Sequence, residues 1–321
     1  MFSRIGVVFF ALAVWMLYWQ LHKYSIEDVL HSVTQIPLPS IIWSMTACLA
    51  EYLVLSCYDF LALCYIGKRL AWWKWMLAGS LGFAVSNNAG NAAISGGAIR
   101  YRLYTRWRVR AGEIVKMLTF SGFTYFLGAA TATLIGYFML SGSGGASIPV
   151  MRFLFGVCCA LLGVYFFASL FFQGKTFRIG DIVFRVPSPR MAVEQCLLGT
   201  TDSVLAGLVL YFLTMHAIDI SVVEFVAIFV IAQAAGIFAQ VPGGIGVFES
   251  VFLLGMPDSA DKAVLFGCLL AFRIIFFLLP LFGVGMTFFI YEHYLRNKMK
   301  KWRMFSLPKL HLPHLKHKKD K

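Results

Sequence analysis

The chain has 321 residues, of which 60% are hydrophobic and only 13% are charged, and its 28 lysines and arginines against 15 acids give a net charge of +13. Because a soluble globular domain carries about 25% charged residues, this composition excludes an ordinary soluble enzyme and predicts an integral membrane protein. The connections between the apolar segments are too short to hold a separate soluble domain of roughly 100 residues.

Six apolar segments have the length of about 20 residues that a helix needs to cross a hydrocarbon layer of roughly 30 Å. In chain order they are Ile5–Leu21, Ile41–Ile66, Ile114–Leu140, Val150–Phe172, Ala192–Met215 and Ala263–Tyr291. No small-x-small cleavage site follows the first segment, so it is expected to be a retained span rather than a signal peptide. Two further apolar stretches contain glycine-rich breaks, Trp75–Ile94 and Val222–Met256.

Lysines and arginines are concentrated in alternate connections, which predicts topology because cytoplasmic connections retain positive charge. The connections on both sides of Trp75–Ile94 are basic, so this stretch is expected to enter and leave the membrane from the cytoplasm. The connections beside Val222–Met256 are mainly acidic, so this stretch is expected to enter and leave from the outside. The prediction is an all-α membrane protein with six spans and two re-entrant helical hairpins, and with both termini in the cytoplasm. Eight full spans, two of them kinked, are the alternative.

The unit of two spans, a hairpin and a span occurs twice in opposite orientation. The glycine motifs lie 147 positions apart, from Gly96 to Gly243, and the same offset approximately relates the span starts of the two halves. The predicted membrane domain covers residues 1–295, with inverted repeats at about 1–141 and 150–292. A basic tail, residues 296–321, is expected to lie at the cytoplasmic face and attract anionic lipid headgroups. Paired glycine-interrupted segments in corresponding halves are typical of a transport site.

The two glycine motifs are Ser95-Gly96-Gly97-Ala98-Ile99-Arg100-Tyr101-Arg102 and Pro242-Gly243-Gly244-Ile245-Gly246-Val247-Phe248-Glu249. Each is expected to break a helix whose restart points free N–H groups into the protein, where they attract an anion. Arg100 and Arg102 would add phosphate donors. Glu249 occupies the position equivalent to Arg102. Tight helix packing at Gly243 and Gly244 is an alternative.

Four ionisable residues lie well inside the predicted spans, away from the first residues of each: Glu51, Asp59, Asp202 and Arg273. Each charge at the bilayer centre costs roughly 2.5–3.5 kcal/mol on insertion scales. Such residues are therefore expected to face the bundle interior or a wet cavity. Ion pairs that only fix helix packing are the alternative to a functional role.

These observations predict two sets of site residues and no catalytic residue, metal or cofactor. The seven cysteines include no CxxC pair, which argues against a zinc site. A phosphate-bearing headgroup is the expected ligand of the first set, and a cationic headgroup or a proton is the expected ligand of the second. The first set is Gly96, Gly97, Arg100, Arg102, Gly243, Gly244, Glu249 and Arg273, and the second is Glu51, Asp59 and Asp202.

The two glycine motifs resemble those of the lysylphosphatidylglycerol synthase transmembrane-region family, and so do Cys57-Tyr58-Asp59 and Ala271-Phe272-Arg273 with the downstream Leu279-Pro280. The resemblance covers residues 1–295 and is greatest to the stand-alone bacterial inner-membrane members. It implies a lipid-translocating module, which in bifunctional members precedes a cytoplasmic aminoacyl-transfer domain. Only a short basic segment follows Tyr291 here, so that transferase is expected to be absent.

The expected function is flippase-like or scramblase-like translocation of a phospholipid or modified anionic lipid across the bacterial inner membrane. The expected partners are membrane lipids, in particular anionic phospholipid, and a lipid-synthesis enzyme. Nucleic acid is not an expected partner, because the basic residues lie beside membrane spans. Two alternatives stay open: a non-catalytic membrane partner of a lipid-synthesis enzyme, and a lipid-modifying membrane enzyme.

Overall fold

The computed structural model describes residues 33–89, 92–140, 149–238, 246–257 and 259–305. Within these ranges the chain is almost entirely helical, with one π-helical segment, Arg273–Leu278, between the last two helices. The helices are α1 (Leu38–Tyr65), α2 (Trp72–Ala89), α3 (Ala92–Arg106), α4 (Ala111–Leu140), α5 (Pro149–Phe171), α6 (Pro189–Thr214), α7 (Val222–Phe238), α8 (Val247–Gly255), α9 (Lys262–Phe272) and α10 (Leu279–Phe305).

Four of the described helical stretches are long and apolar enough to cross a membrane: α1, α4, α6 and the run from Lys262 to Tyr291. This agrees with an all-α membrane protein, and the four stretches coincide with four of the six predicted spans. The predicted first span, Ile5–Leu21, lies outside the described residues. The predicted fourth span is helix α5, whose described apolar part is the shorter stretch Phe155–Phe171. Helix α10 continues beyond the predicted end of the membrane domain, to Phe305.

Helices α2 and α3 form an antiparallel pair. Gly82 of α2 lies against the side chain of Arg100, and Ser86, one turn further along α2, lies against Gly96 of α3. Trp73 at the start of α2 and Trp107 just after α3 have ring centroids 5.9 Å apart. The pair therefore begins and ends at the same end of the bundle.

Helices α7 and α8 form a second antiparallel pair, held together by phenylalanine rings. Phe229 lies 5.4 Å from Phe248, and Phe225 lies 5.3 Å from Phe252, between ring centroids. Phe225 also lies 5.3 Å from Tyr211 near the end of α6, so this pair begins where α6 ends.

Each antiparallel pair has an open end, where the chain enters and leaves it, and the open ends of the two pairs lie at opposite ends of the bundle. Tyr65, the last residue of α1, donates a hydrogen bond to the carbonyl of Arg185 at 2.7 Å. Helix α6 therefore starts at the end where α1 finishes and the α2–α3 pair opens, and it finishes at the end where the α7–α8 pair opens. An ion pair of 3.5 Å between Lys68 and Glu113 lies at the first of these ends, among the basic connections.

The first glycine motif is helical, contrary to the predicted break. Helix α3 begins at Ala92, so Gly96 and Gly97 lie inside it, and neither has a positive φ. A Cβ added to Gly96 would lie 2.5 Å from the carbonyl oxygen of Gly82. Gly96 is thus required because the backbones of α2 and α3 approach too closely for a side chain, as small residues allow in membrane helices.

A helix restart does occur at the end of the second motif. Gly246 has φ 83°, a left-handed conformation that glycine adopts without strain, and it immediately precedes α8. Its N–H donates to Glu249 Oε2 at 2.7 Å. Gly243 and Gly244 lie outside the described residues.

A short β-hairpin between α5 and α6 was not predicted. Strand β1 (Thr176–Ile179) pairs antiparallel with β2 (Ile182–Arg185), and Phe177 is opposite Phe184. Cross-strand partners share a face of a hairpin, so one face carries these two rings and the isoleucines next to the turn. The charge count assigned this connection to the cytoplasm, but a run this short and basic gives little strand signal in sequence.

Helices α4 and α6 cross with their backbones in close contact. Gly199 of α6 lies against Gly128 of α4, and a Cβ added to Gly199 would lie 2.5 Å from the carbonyl oxygen of Thr124. Backbone atoms cannot move aside as the end of a flexible side chain can. Glycine at this crossing therefore lets the backbones of two predicted spans pack directly against each other.

Replacing Gly199 with alanine is expected to lower the thermal stability of the detergent-purified protein by about 1–3 kcal/mol, the usual cost of overpacking. Gly163→Ala is the matched control, because Gly163 is also helical but has no atom within 4 Å of the added Cβ. The control should be neutral or slightly stabilised, since alanine favours a helix over glycine by about 1 kcal/mol. Equal melting temperatures for the two variants would contradict the close crossing.

Candidate functional site

Helix α1 carries a row of buried polar groups on one face. Cys48, Glu51, Tyr52, Tyr58 and Asp59 are all buried. Cys48 lies three residues before Glu51 and four before Tyr52, and Tyr58 and Asp59 follow these two by seven residues, which places all five along one side of a helix. That side faces the other helices, so α1 supplies polar partners to both halves of the chain.

The first group on this face is an ion pair between α1 and α3, which we call the Asp59 cluster (Asp59, Arg100 and Tyr104). Arg100 Nε donates to both carboxylate oxygens of Asp59, at 2.9 and 3.1 Å. The hydroxyl of Tyr104 donates to Asp59 Oδ2 at 2.7 Å. All three residues are at most 4% exposed. The bonds satisfy the buried carboxylate, which would otherwise be costly to bury.

Arg100 keeps donor capacity beyond this ion pair. Asp59 is bound through Nε, and Nη2 is buried without a hydrogen-bond partner among the described residues. The guanidinium lies 4.4 Å from the ring centroid of Phe83. A Cβ on Gly82 would lie 2.7 Å from Arg100 Cζ, so this glycine is needed to admit the group. A buried cationic donor with a free N–H can bind one oxygen of an anion.

The second ion pair joins α8 to the start of the π-helical segment. Arg273 Nε donates to Glu249 Oε1 at 2.8 Å, and Nη2 contacts the same oxygen. Glu249 Oε2 accepts from the N–H of Gly246, so one carboxylate both caps α8 and holds the arginine. The guanidinium of Arg273 also lies 4.8 Å from the ring centroid of Phe277. The pair is largely buried, with 17% of the Arg273 side chain and 7% of the Glu249 side chain exposed.

The π-helical segment that starts at Arg273 is bound by the first half of the chain. A π-helix departs from the regular α-helical hydrogen-bond ladder and is frequent at functional sites. Three successive carbonyls in this segment accept hydrogen bonds from side chains of α1 and α2. The bonds are Cys48 Sγ to Ile275 O at 3.3 Å, Tyr52 OH to Phe276 O at 3.4 Å, and Asn88 Nδ2 to Phe277 O at 3.0 Å.

A third polar group is the carboxyl pair formed by Glu51 of α1 and Asp202 of α6. Glu51 is 1% and Asp202 is 5% exposed, and the two carboxyl groups are close enough to interact electrostatically. The hydroxyl of Tyr58 donates to Asp202 Oδ2 at 2.7 Å. This carboxyl pair differs from the two ion pairs because two acids, rather than an acid and a base, are brought together.

The structure separates the predicted site residues into different environments. Arg100, Glu249 and Arg273 are in the two ion pairs, and Asp59 belongs with Arg100 rather than with the other acids. Arg102 is exposed, with its guanidinium 5.7 Å from the ring centroid of Phe288. Arg102 and Glu249 occupy equivalent positions in the motifs but are not in equivalent surroundings.

Sequence reasoning missed the tyrosines that complete these groups. Tyr104 is four residues after Arg100, a spacing that places both on one helix face, and this signal was available in the sequence. Tyr58 is next to Asp59 but donates to Asp202 on another helix. No local pattern identifies that partner.

Comparison with known proteins finds relatives over most of the chain. It is 32% identical over 302 residues to the uncharacterized protein slr0712 of Synechocystis, an alignment that covers 90% of this chain and 91% of that protein. It is 26% identical over 244 residues to the inner membrane protein YbhN of Escherichia coli, covering 72% of this chain and 73% of that protein.

A third relative is a larger protein. The phosphatidylglycerol lysyltransferase of Staphylococcus aureus is 23% identical over 287 residues, which cover 87% of this chain but only 33% of that enzyme. The chain thus spans about a third of the length of this relative. No family model matches the chain.

Breaking the Asp59–Arg100 pair is expected to destabilise the purified protein strongly. Asp59→Asn leaves the buried charge of Arg100 uncompensated, which costs about 3–5 kcal/mol, whereas removing both charges is often close to neutral. Thermal unfolding in detergent should therefore show a large loss for Asp59→Asn and substantial recovery in the Asp59→Asn/Arg100→Met double variant.

The matched control is Glu194→Gln, which removes an exposed carboxylate that accepts from Arg190 Nε at 3.0 Å. This change should cost less than about 1 kcal/mol, because exposed ion pairs contribute little. If the double variant is as unstable as Asp59→Asn, the loss of stability does not come from an uncompensated charge on Arg100.

Proposed function

The chain belongs to the lysylphosphatidylglycerol synthase transmembrane-region family, and from this membership and its buried arginines we propose that it moves a phospholipid across the inner membrane. The S. aureus relative is named for phosphatidylglycerol, an anionic phospholipid. That name supports a phosphate-bearing lipid as the substrate class. Lysyl transfer is not proposed, because the match covers only a third of that enzyme.

The observation that carries this proposal is the free donor of Arg100. Its guanidinium is buried among α1, α2 and α3, is held in place by Asp59, and still has Nη2 without a partner among the described residues. A lone buried donor costs free energy, and an oxygen of a headgroup phosphate would satisfy it. Arginine suits this role because its guanidinium stays charged even when buried.

The Glu249–Arg273 pair is proposed as the counterpart of the Asp59 cluster in the other half. It lies at the restart of α8, where the helix N-terminus adds a partial positive charge to that of Arg273. A headgroup phosphate could pass from one arginine to the other as the surrounding helices move. Each carboxylate keeps its arginine neutralised when no phosphate is bound, so neither site is an uncompensated buried charge.

Six spans with two re-entrant hairpins are the proposed membrane arrangement. The antiparallel α2–α3 and α7–α8 pairs, open toward opposite ends of the bundle, support it. The basic connections near α1, α2, α3 and α4 support a cytoplasmic location for the first open end. In this arrangement the closed ends of both pairs lie within the membrane, where irregular backbone is tolerated only inside protein or beside water.

We expect proteoliposomes containing the protein to move labelled phosphatidylglycerol between leaflets faster than protein-free vesicles. Arg100→Lys keeps a positive charge beside Asp59 but removes the spare guanidinium donor. Since a hydrogen bond to a charged group contributes about 1.5–3 kcal/mol, this variant should lose about tenfold to a hundredfold in rate while staying folded.

The matched control is Arg106→Lys, because Arg106 is on the same helix but exposed at its end. It should retain the wild-type rate. The proposal fails if the wild-type protein moves no phospholipid faster than empty vesicles across several headgroups. The proposed role of Arg100 in binding the phosphate is wrong if the folded Arg100→Lys variant keeps the full rate of lipid movement.

Single cysteines in a cysteine-free background test the hairpins against eight full spans. Lys68 before α2 has a side chain that is 38% exposed, and Arg106 at the end of α3 is exposed. The hairpin arrangement places Lys68→Cys and Arg106→Cys on the cytoplasmic side. Asp219→Cys before α7 and Ser259→Cys after α8 should both react from the outside. An impermeant thiol reagent applied to cells and to inverted vesicles distinguishes the sides. Labelling of Lys68→Cys and Arg106→Cys from opposite sides would favour eight spans.

A further inference from the structure

The carboxyl pair of Glu51 and Asp202 takes no part in the phosphate binding proposed above, and it lies halfway along two membrane-crossing helices. Glu51 is at the middle of α1 and Asp202 is at the middle of α6. At a rise of about 1.5 Å per residue, each carboxyl is roughly 20 Å from either end of its helix. A charge is most costly at this depth of a bilayer.

The burial of the pair requires a proton. Two ionised carboxylates next to each other in an apolar interior would repel one another and lack solvation, so one of the two acids must be protonated. Because Tyr58 donates to Asp202 Oδ2 at 2.7 Å, the ionised form of Asp202 is stabilised, and Glu51 is the acid that holds the proton. One oxygen of Glu51, Oε2, is buried and has no partner among the described residues. A donor from outside the pair, such as a water that delivers or removes the proton, can bind there.

No positive charge compensates the pair among the titratable groups that face it in the described structure. These groups are Cys48, Tyr52 and Tyr58 of α1 and Tyr125 of α4, all of which are neutral when protonated. The buried arginines of neighbouring elements, Arg100 and Arg273, are bound to their own carboxylates. The proton is therefore what keeps the two acids together in an apolar interior.

We propose that the Glu51–Asp202 pair is a proton-binding site, which takes up and releases one proton in each transport cycle and so couples lipid movement to a proton gradient. This inference rests on the proposed lipid translocation and supplies its energy source. In the step, the Glu51 O–H bond breaks and the proton passes to water on one side of the membrane. The pair then holds one more negative charge until a proton from the other side restores it.

The packing provides a contact route from the pair to the phosphate site. Tyr58 donates to Asp202, and its ring packs edge-on to Phe83 with centroids 5.4 Å apart. Phe83 is the ring that lies against the guanidinium of Arg100. A second negative charge on the pair would repel the Asp202 carboxylate from Glu51 and disturb Tyr58. It would therefore act on the surroundings of Arg100 without a long-range rearrangement.

The first experiment detects the proton without any transport. Infrared difference spectra of the purified wild-type protein in lipid, recorded between neutral and alkaline buffer, where exposed Asp and Glu stay ionised, should contain the C=O stretch of a protonated carboxyl group. The Glu51→Gln/Asp202→Asn double variant should lack this titrating band, whereas Asp202→Glu, which keeps two acids, should retain it. Glu194→Gln, at an exposed position, is the control and should leave the band unchanged. Absence of the band from the wild-type protein would overturn the proposed site.

The second experiment tests coupling in proteoliposomes with the membrane potential clamped to zero. With one proton exchanged per lipid, a gradient of one pH unit should shift the leaflet ratio of labelled phosphatidylglycerol up to about tenfold. The double variant should lose this dependence on the pH gradient, and Asp202→Glu should recover it. A leaflet ratio that does not depend on the pH gradient, or that depends on a sodium gradient instead, would overturn the proposed coupling to protons.

The two experiments separate this inference from the proposed function. If the wild-type protein moves no lipid under any gradient but the infrared band titrates, lipid translocation fails and the coupling fails with it, while the proton site stands. If lipid moves in both directions at a rate independent of the gradient, lipid translocation stands and the coupling is wrong.

Discussion

A charged side chain can lie inside this bundle only beside an opposite charge or a proton, because the bilayer offers no water to solvate it. Each isolated charge would cost several kcal/mol. The described structure meets this constraint with two ion pairs, Asp59 with Arg100 and Glu249 with Arg273, and the proton proposed above would meet it for the buried acids Glu51 and Asp202. Each pairing joins residues of different elements, so it forms only when the helices have this arrangement.

Helix α1 takes part in two of the three pairings and also binds the segment that begins with the arginine of the third. Asp59 contacts α3, and Glu51 contacts α6. Cys48 and Tyr52 donate to carbonyls of the π-helical segment that starts at Arg273. A rotation or tilt of α1 would thus change all three sites together. This is the kind of shared, packed element through which two ligands can influence one another.

Glycines let these pairings form, and they act by close approach more often than by breaking helices. Gly82 makes room for the guanidinium of Arg100, and Gly96 brings α3 against α2. Gly246 is different, because its positive φ is what starts α8 and positions Glu249. The two motifs look alike in sequence, and both contribute to a buried ion pair. They do so by different physical means, since Gly96 fits two helices together and Gly246 adopts the positive φ that precedes α8.

The sequence by itself determined the class of protein, the limits of the four spanning helices within a few residues, and the set of charges that must face inward. Hydropathy and charge are properties of each segment, so they can be counted along the chain without knowledge of neighbours. Only the tertiary structure decided the partners. Asp59 pairs with Arg100 rather than with the other acids, and Arg102 is exposed although its motif position matches that of Glu249. Partner choice depends on how each helix is rotated and how closely backbones approach, and these follow from packing between segments far apart in the sequence.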